Sequence, residues 1–386
     1  MSSAIEYKTS MFVHCEKSII FNDATNRAFF GEEDEIALLS RLADSPDTLQ
    51  AISSLPGVDA LDEKLKFFLR EQLLVPVSTD ETLNFVPHQV DIETCRQCNA
   101  RCQFCPQSVS PKSRGVMPMD LFSLILSRLE GTPPEWIAFN HYGEPLIDPF
   151  FRQRVEMLRE RNIPLKLFTN GVLLKDDLVD FLARGGVYKL VFNFPSLDPT
   201  EWCELMQMSE RSYWKARRAV EYSLTTCRDI PQGIAISVNG VTETQAARAR
   251  AIKEHFSTFG DIEVRSEVSH SRAGAIKNEL VQISSRSAWQ HYGGCDRIAN
   301  HLHVSTEGKV FLCCQDYDQN VVLGDLTRES VSAIMTGSEA RQLRAEMFGL
   351  APMQAGRLCL NCHVLRQTRF PDVPVVASDE TVVLQN

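Results

Sequence analysis

Three cysteines, Cys98, Cys102 and Cys105, fall in the run Cys-Asn-Ala-Arg-Cys-Gln-Phe-Cys. Three thiolates at this spacing suit an iron–sulfur cluster. A cubane cluster has four irons, so three cysteines leave one iron without a protein ligand. An open metal position can take a substrate or cofactor, which points to catalysis rather than scaffolding. Structural zinc is the alternative; it wants four closed ligands, and Cys95 would make a CxxC pair with Cys98. A second group lies downstream. Cys295 precedes Gly308 and Cys313 in the arrangement C-x12-G-x4-C, and Cys359 and Cys362 form a late CxxC. Four cysteines there suit a fully ligated cluster, or again zinc.

The CxxxCxxC spacing, with aromatic Phe104 before the third cysteine, resembles the radical S-adenosylmethionine (radical SAM) superfamily. The resemblance implies a 4Fe–4S cluster whose open iron chelates the amino and carboxylate groups of the SAM methionine. One electron would then cleave SAM to a 5′-deoxyadenosyl radical, which abstracts a substrate hydrogen. Tyr142-Gly143-Glu144-Pro145 resembles the family's GGEP motif, with Tyr142 in place of the first glycine. That motif holds the SAM ammonium, and its glycine lets the backbone approach closely; Gly-Glu-Pro is also a plausible turn. Further SAM contacts are expected from Thr169 and Asn170, from Asn193, and from Ser237 and Asn239. Arg265 and Arg272 would pair with the SAM carboxylate or a substrate anion. An Asn-Gly turn and surface arginines are the plain alternatives. His141 would face the pocket or be structural.

The downstream group resembles the SPASM/Twitch extensions of radical SAM enzymes. Thr306 to Val310 reads as a hairpin turn, and Cys313-Cys314-Gln315-Asp316 matches the extension's common Cys-Cys-x-Asp. Gly324-Asp325-Leu326 leads toward a helix at about 330–347. No cysteine follows Cys362, so the resemblance implies one auxiliary 4Fe–4S cluster. Cys15, Cys95, Cys203, Cys227 and Cys314 remain, most of them expected to be inert buried thiols. Cys314, Cys203 and Cys227 are candidate hydrogen-atom donors.

The elements must place these groups. From 88 to 275 strands and helices alternate. The strands are Gln89–Thr94, Trp136–Asn140, Leu165–Thr169, Lys189–Phe194, Ile234–Asn239 and Asp261–Val268. The helices are Met119–Leu129, Pro149–Arg161, Lys175–Arg184, Ser212–Thr225 and Glu243–Phe256. Alternation predicts an α/β fold with a parallel sheet. Six units fit the partial (β/α)6, TIM-like radical SAM barrel, with chemistry at the C-terminal strand ends. Residues 1–87 read as a hairpin (Ser18–Asp23 with Arg27–Gly31), helices at 32–42, 45–55 and 60–74, and a wing from Leu74–Val77 and Leu83–Val86. This winged-helix-like layout resembles the peptide-recognition domains of enzymes that modify ribosomally made peptides, which add a leader peptide as a strand. A plain helical cap is the alternative. Residues 276–370 form the cluster-binding extension. Residues 371–386 are a tail in which Val373 to Val376 could add an edge strand.

The chain has 386 residues and a net charge of −10, which argues against general nucleic-acid binding. It lacks a signal-peptide core and any apolar run of membrane length, so it reads as cytoplasmic, with no membrane partner. The expected reaction is hydrogen abstraction that oxidises or cross-links a ribosomally made peptide. The alternatives are a dehydrogenase or epimerase for an aminocyclitol or sugar, and a non-catalytic iron–sulfur or zinc module. A one-electron donor such as flavodoxin or ferredoxin is implied.

Overall fold

The computed structural model describes residues 5–16, 18–25, 27–53, 61–83, 85–111, 115–240, 243–281 and 292–365. The tail from Pro371, its expected edge strand and position 84 of the expected wing lie outside the described residues.

Residues 5–83 build a small two-sheet unit. Its strands and helices are β1 (Glu6–Thr9), β2 (Val13–Glu16), β3 (Ile19–Asn22), β4 (Arg27–Phe30), α1 (Glu33–Asp44), β5 (Asp47–Thr48), α2 (Leu49–Ser53), α3 (Leu61–Arg70) and β6 (Leu74–Pro76). The expected hairpin is β3–β4, with β2 on its other side. The wing is corrected. β6 pairs with β1 in the order β5-β1-β6, and Glu81–Leu83 is a 3-10 turn instead of a returning strand. Buried Glu81 anchors that turn by accepting from Ser10 Oγ (2.5 Å) and the Met11 amide (3.0 Å). The second helix starts later than expected, at Leu49, because Asp47–Thr48 pairs as a strand and Thr48 Oγ1 receives the Ala51 amide (3.2 Å).

The central region supplies β7 (Gln89–Ile92), α4 (Met119–Leu129), β8 (Trp136–Phe139), α5 (Phe151–Glu160), β9 (Leu165–Thr169) and α6 (Asp176–Ala183). It continues with β10 (Val187–Asn193), α7 (Pro199–Met206), α8 (Glu210–Thr226), β11 (Ile234–Gly240), α9 (Glu243–Phe256) and β12 (Glu263–Val268). β7 to β12 are parallel neighbours in sequence order. Their side chains alternate between two faces. Val90, Ile92, Ile137, Phe139, Leu165, Leu167 and Phe192 are buried against helix residues such as Phe122, Leu126, Val155, Leu158 and Leu182. The opposite, inner face is mixed, carrying Gln89, Asp91, Lys166, Lys189, Glu263 and Arg265 among Trp136, Ala138, Phe168 and Val191. Helix α7 was not foreseen; Asp198 caps it by accepting the Glu201 amide (2.8 Å), with Pro199 as its first residue.

The last segment contains α10 (Asp296–Asn300), β13 (His301–Val304), β14 (Lys309–Phe311), β15 (Val322–Asp325), α11 (Val331–Met335) and α12 (Ser338–Met347). The single helix expected at 330–347 breaks at Thr336-Gly337. β13 adds to β7 in parallel, and β14 and β15 follow, so one nine-stranded sheet runs through the barrel and the extension. The N-terminal unit docks on this segment: Phe12 meets Phe348 edge-on at 4.9 Å, and Arg344 Nε donates to the Thr82 carbonyl (2.9 Å).

Candidate active site and metal centres

The loop with Cys98, Cys102 and Cys105 leaves the C-terminal end of β7. Tight turns bring its thiols together: the Cys105 amide donates to the Cys102 carbonyl (2.9 Å), and the Ala100 amide points at Cys98 Sγ (3.4 Å). Burial, reinforced by the Glu144 carboxylate, pushes the Cys98 thiol up to about 12. Burial also raises Cys102, with Cys105 and Cys98 adding to it, and raises Cys105. Thiols this close and this buried are protonated until a positively charged centre takes their protons' place. The donor set fits an iron–sulfur cluster.

The Tyr142–Pro145 turn lies against this loop. A Cβ on Gly143 would sit 1.7 Å from the Cys95 carbonyl oxygen, so no other residue fits. The Glu144 amide donates to the Gln97 carbonyl (2.9 Å). Its carboxylate accepts from Thr169 Oγ1 (2.8 Å), the Asn170 amide (2.8 Å) and the Leu146 amide (3.2 Å). Burial nevertheless pushes Glu144 up to about 7 against these bonds. A cation docked beside it would restore its ionised form, so the residues present fit the ammonium of SAM. Asn170 Nδ2 also donates to Asn99 Oδ1 in the cysteine loop (2.7 Å).

Other expected residues divide. Asn239 Nδ2 donates to Asn193 Oδ1 (3.1 Å), Asn193 Nδ2 lies 3.7 Å from Met206 Sδ, and Met206 Sδ lies 3.5 Å from Cys102 Sγ. Those asparagines therefore border the cysteine loop. Ser237 is buried in register with Asn193. Arg272, at left-handed φ 50°, is close enough to Cys105 and Tyr142 to act on both electrostatically. Arg265 turns the other way: its Nε binds Glu263, which also receives Lys189 Nζ (2.5 Å), so it is engaged toward the start of its strand. Cys227 is corrected as a hydrogen donor. It ends α8 with its thiol 3.8 Å from the Val179 carbonyl, inside the helix layer, where burial pushes it up to about 11. Cys203 is half-buried on α7. Cys314 is half-buried, its Sγ 3.3 Å from Arg297 Nε.

The second cysteine group is closed. Cys295 opens α10, Cys313 follows β14, and Cys359 lies in a 3-10 turn that Cys362 caps. All four line one small cavity, beside Arg297, Met347 and Leu365. Burial pushes Cys295 up to about 12 and raises Cys313 and Cys359. The Gln315 amide points at Cys313 Sγ (3.4 Å) and the Val364 amide at Cys362 Sγ (3.3 Å), bonds that favour thiolate ligands. Tyr142 joins the two sites. Its hydroxyl donates to the Cys314 carbonyl, and its ring packs edge-on against Tyr317 at 4.6 Å.

Residues missed in sequence include Gln107, whose amide donates to the Arg96 carbonyl (3.0 Å) and the Tyr142 carbonyl (3.2 Å), and Asp91. Burial would raise Asp91, but His303, His301, His141 and the Gln89 amide outweigh it and hold the carboxyl at about 2. Burial drives His303 and His301 below the usual imidazole value.

A radical SAM superfamily model matches residues 92–230, and a SPASM iron–sulfur cluster-binding domain model matches residues 295–363. The chain carries a radical SAM domain and a SPASM domain. Those two domains imply SAM, a 4Fe–4S cluster and an auxiliary cluster as cofactors. A Pyrococcus furiosus tungsten-containing aldehyde ferredoxin oxidoreductase cofactor-modifying protein is 35% identical over 107 residues. That match covers 28% of this chain and 30% of the relative, so the chain spans under a third of that relative's length. An S-adenosyl-L-methionine-dependent 2-deoxy-scyllo-inosamine dehydrogenase from Niallia circulans is 24% identical over 71% of this chain and 92% of its own length. The crystal structure of Streptococcus suis SuiB bound to precursor peptide SuiA superposes with a TM-score of 0.57 at 13% identity, covering 93% of this chain and 96% of that one. No helix among the described residues is long and apolar enough to cross a membrane.

Proposed function

We propose that this enzyme modifies a ribosomally made peptide by oxidation or cross-linking, and that residues 1–87 recognise it. The observation that carries this reading is the edge of the N-terminal sheet. Among the described residues β4 pairs only with β3, and Phe30 at its end is 86% exposed. An edge strand offers unpaired backbone groups to an added strand, and an apolar side chain offers it grip. The likeness of fold to SuiB over nearly the whole chain supports the same layout.

In this reading Cys98, Cys102 and Cys105 hold the SAM cluster. Gly143, Glu144, Thr169 and Asn170 hold the methionine end of SAM, with Asn193, Ser237, Asn239 and Arg272 farther along it. Cys295, Cys313, Cys359 and Cys362 hold the auxiliary cluster. When bound, the SAM cluster supplies the radical chemistry. The chain's own residues orient SAM by a buried carboxylate, exclude water with Met206 and Phe104, and keep the substrate on the inner sheet face.

The polar groups of the inner face also suit a small polyhydroxylated substrate, and the dehydrogenase relative supports that second reading. The test is anaerobic incubation of the reconstituted enzyme with SAM, a reductant and short peptides encoded beside its gene. The expected product is a peptide lighter by two hydrogens. Phe30→Asp should raise the peptide KM about tenfold, as for loss of an apolar anchor. An aminocyclitol oxidised while every peptide stays unchanged would establish the second reading instead.

A further inference from the structure

Away from the cysteines, the inner sheet face carries a compact set of metal donors. β13 reads His301-Leu302-His303, and the two-residue period of a strand puts both imidazoles on one face. β13 lies in parallel beside β7, with His303 in register with Asp91. His303 Nδ1 is 3.4 Å and His301 Nδ1 3.6 Å from the same oxygen, Asp91 Oδ2. One donor atom from each of the three residues lies within 4.8 Å of the others. Ligands on a tetrahedral ion with bonds of about 2.0–2.1 Å stand roughly 3.3–3.4 Å apart. Both imidazole–carboxylate spacings are therefore close to that of ligands sharing one ion.

The carboxylate is also oriented for the task. Gln89 Nε2 donates to both carboxylate oxygens, Oδ1 (2.8 Å) and Oδ2 (2.9 Å), and Asn140 Nδ2 donates to Oδ1 (2.8 Å), which fixes the carboxylate with Oδ2 facing the histidines. Bonds of this kind aim metal-ligating carboxylates. His303 is only 2% exposed, and neither ring nitrogen makes a hydrogen bond among the described residues. A buried structural imidazole ordinarily donates at one nitrogen and accepts at the other. Leaving both without a hydrogen bond is costly unless something sits between the ring and the carboxylate. His141 borders the group at left-handed φ 83°, its ring 5.4 Å from His303.

We propose that Asp91, His301 and His303 bind one divalent transition-metal ion, separate from both cysteine sites. Imidazole and carboxylate donors suit zinc or iron(II) over calcium or magnesium. Three protein ligands leave at least one position open. His301 is the partly exposed member of the set, at 19%, so the open position lies on its side, where water can reach the ion. The site stands whether the substrate is a peptide or a small molecule.

The test is titration of zinc into the full chain, anaerobically, with both clusters in place. Elemental analysis follows zinc and iron together, and zinc-edge X-ray absorption reads the ligands. One zinc per chain should remain after desalting, with nitrogen and oxygen neighbours at about 2.0–2.1 Å and iron unchanged. His303→Gln and Asp91→Asn should weaken zinc retention about tenfold or more without loss of iron. His301→Gln makes the same test at the more exposed ligand, where folding is least disturbed. No retained zinc, zinc on sulfur at about 2.3 Å, or zinc held equally by all three variants would overturn the assignment.

Discussion

The two cysteine sites are built on opposite plans. The first takes three thiols from one stretch, residues 98–105, and two of them, Cys98 and Cys105, are only partly buried. The second takes four buried thiols from three segments between residues 295 and 362 and gathers them round one cavity. A loop of nearby thiols can present an open edge to a small molecule, and little of the fold depends on filling it. A cavity that joins separate segments has the reverse character: metal binding there is also folding free energy. Under the proposed function, turnover belongs to the first site and cohesion with electron transfer to the second.

Cys102→Ala presses hardest on that contrast. It should abolish 5′-deoxyadenosine formation and lower iron from about eight to about four per chain, with the thermal midpoint nearly unchanged. Residual cleavage at wild-type rate would refute the division. Cys359→Ala should also halve the iron, yet keep part of the SAM cleavage while blocking product. Its midpoint should fall by roughly 10 °C, as loss of a fold-coupled metal site predicts; a stability equal to Cys102→Ala would erase the contrast. Gly143→Ala forces a carbon into the Cys95 carbonyl and should cost about 3 kcal/mol or more, read by denaturant unfolding of the holoenzyme.

Glu144 sharpens the comparison through pH. Its carboxyl is pushed up to about 7, so it takes up a proton as pH falls below that value and loses the charge that SAM's ammonium needs. SAM affinity, measured by equilibrium dialysis, should drop about tenfold per pH unit below 7, and Glu144→Gln should bind weakly with no such slope. A flat wild-type profile would separate Glu144 from the ammonium. Tyr142→Phe has the smallest expected effect, about 1 kcal/mol from the lost bond to the Cys314 carbonyl. Iron content and SAM cleavage should persist; loss of either would mean that the two sites depend on one another.

What was legible in the chain was local. CxxxCxxC, Gly-Glu-Pro and the six strand–helix units depend on spacings of a few residues, and β8, β9 and β11 lie where hydrophobic patterning expects them. The β13–β7 pairing joins residues more than two hundred positions apart, and no local pattern announces it. That pairing also hides the Asp91–His303 contact, although the His-x-His alternation on one strand was a readable signal. Helix α7 had a readable start in Asp198-Pro199, and through it Met206 reaches Cys102. Arg265 was placed at the strand mouth by position alone. Its alternation with Glu263, two residues back on the same face, foretold an ion pair instead. The wing failed because β1, its true partner, carries a weak signal in Glu-Tyr-Lys-Thr.

Because β13 is hydrogen-bonded to β7, the two cysteine sites hang from neighbouring strands of one sheet. Arg96 and Gln319 cross-tie them: Arg96 Nη2 donates to Gln319 Oε1 (3.1 Å), and Gln319 Nε2 donates to Glu93 Oε2 (2.9 Å). The span between the sites thus behaves like the gauge of a railway, set by the sleepers and indifferent to the freight. Side chains on the inner face can be exchanged for a new cargo without altering it. The same chassis can therefore take new substrates by substitution inside the barrel while the distance between its two cysteine sites stays fixed.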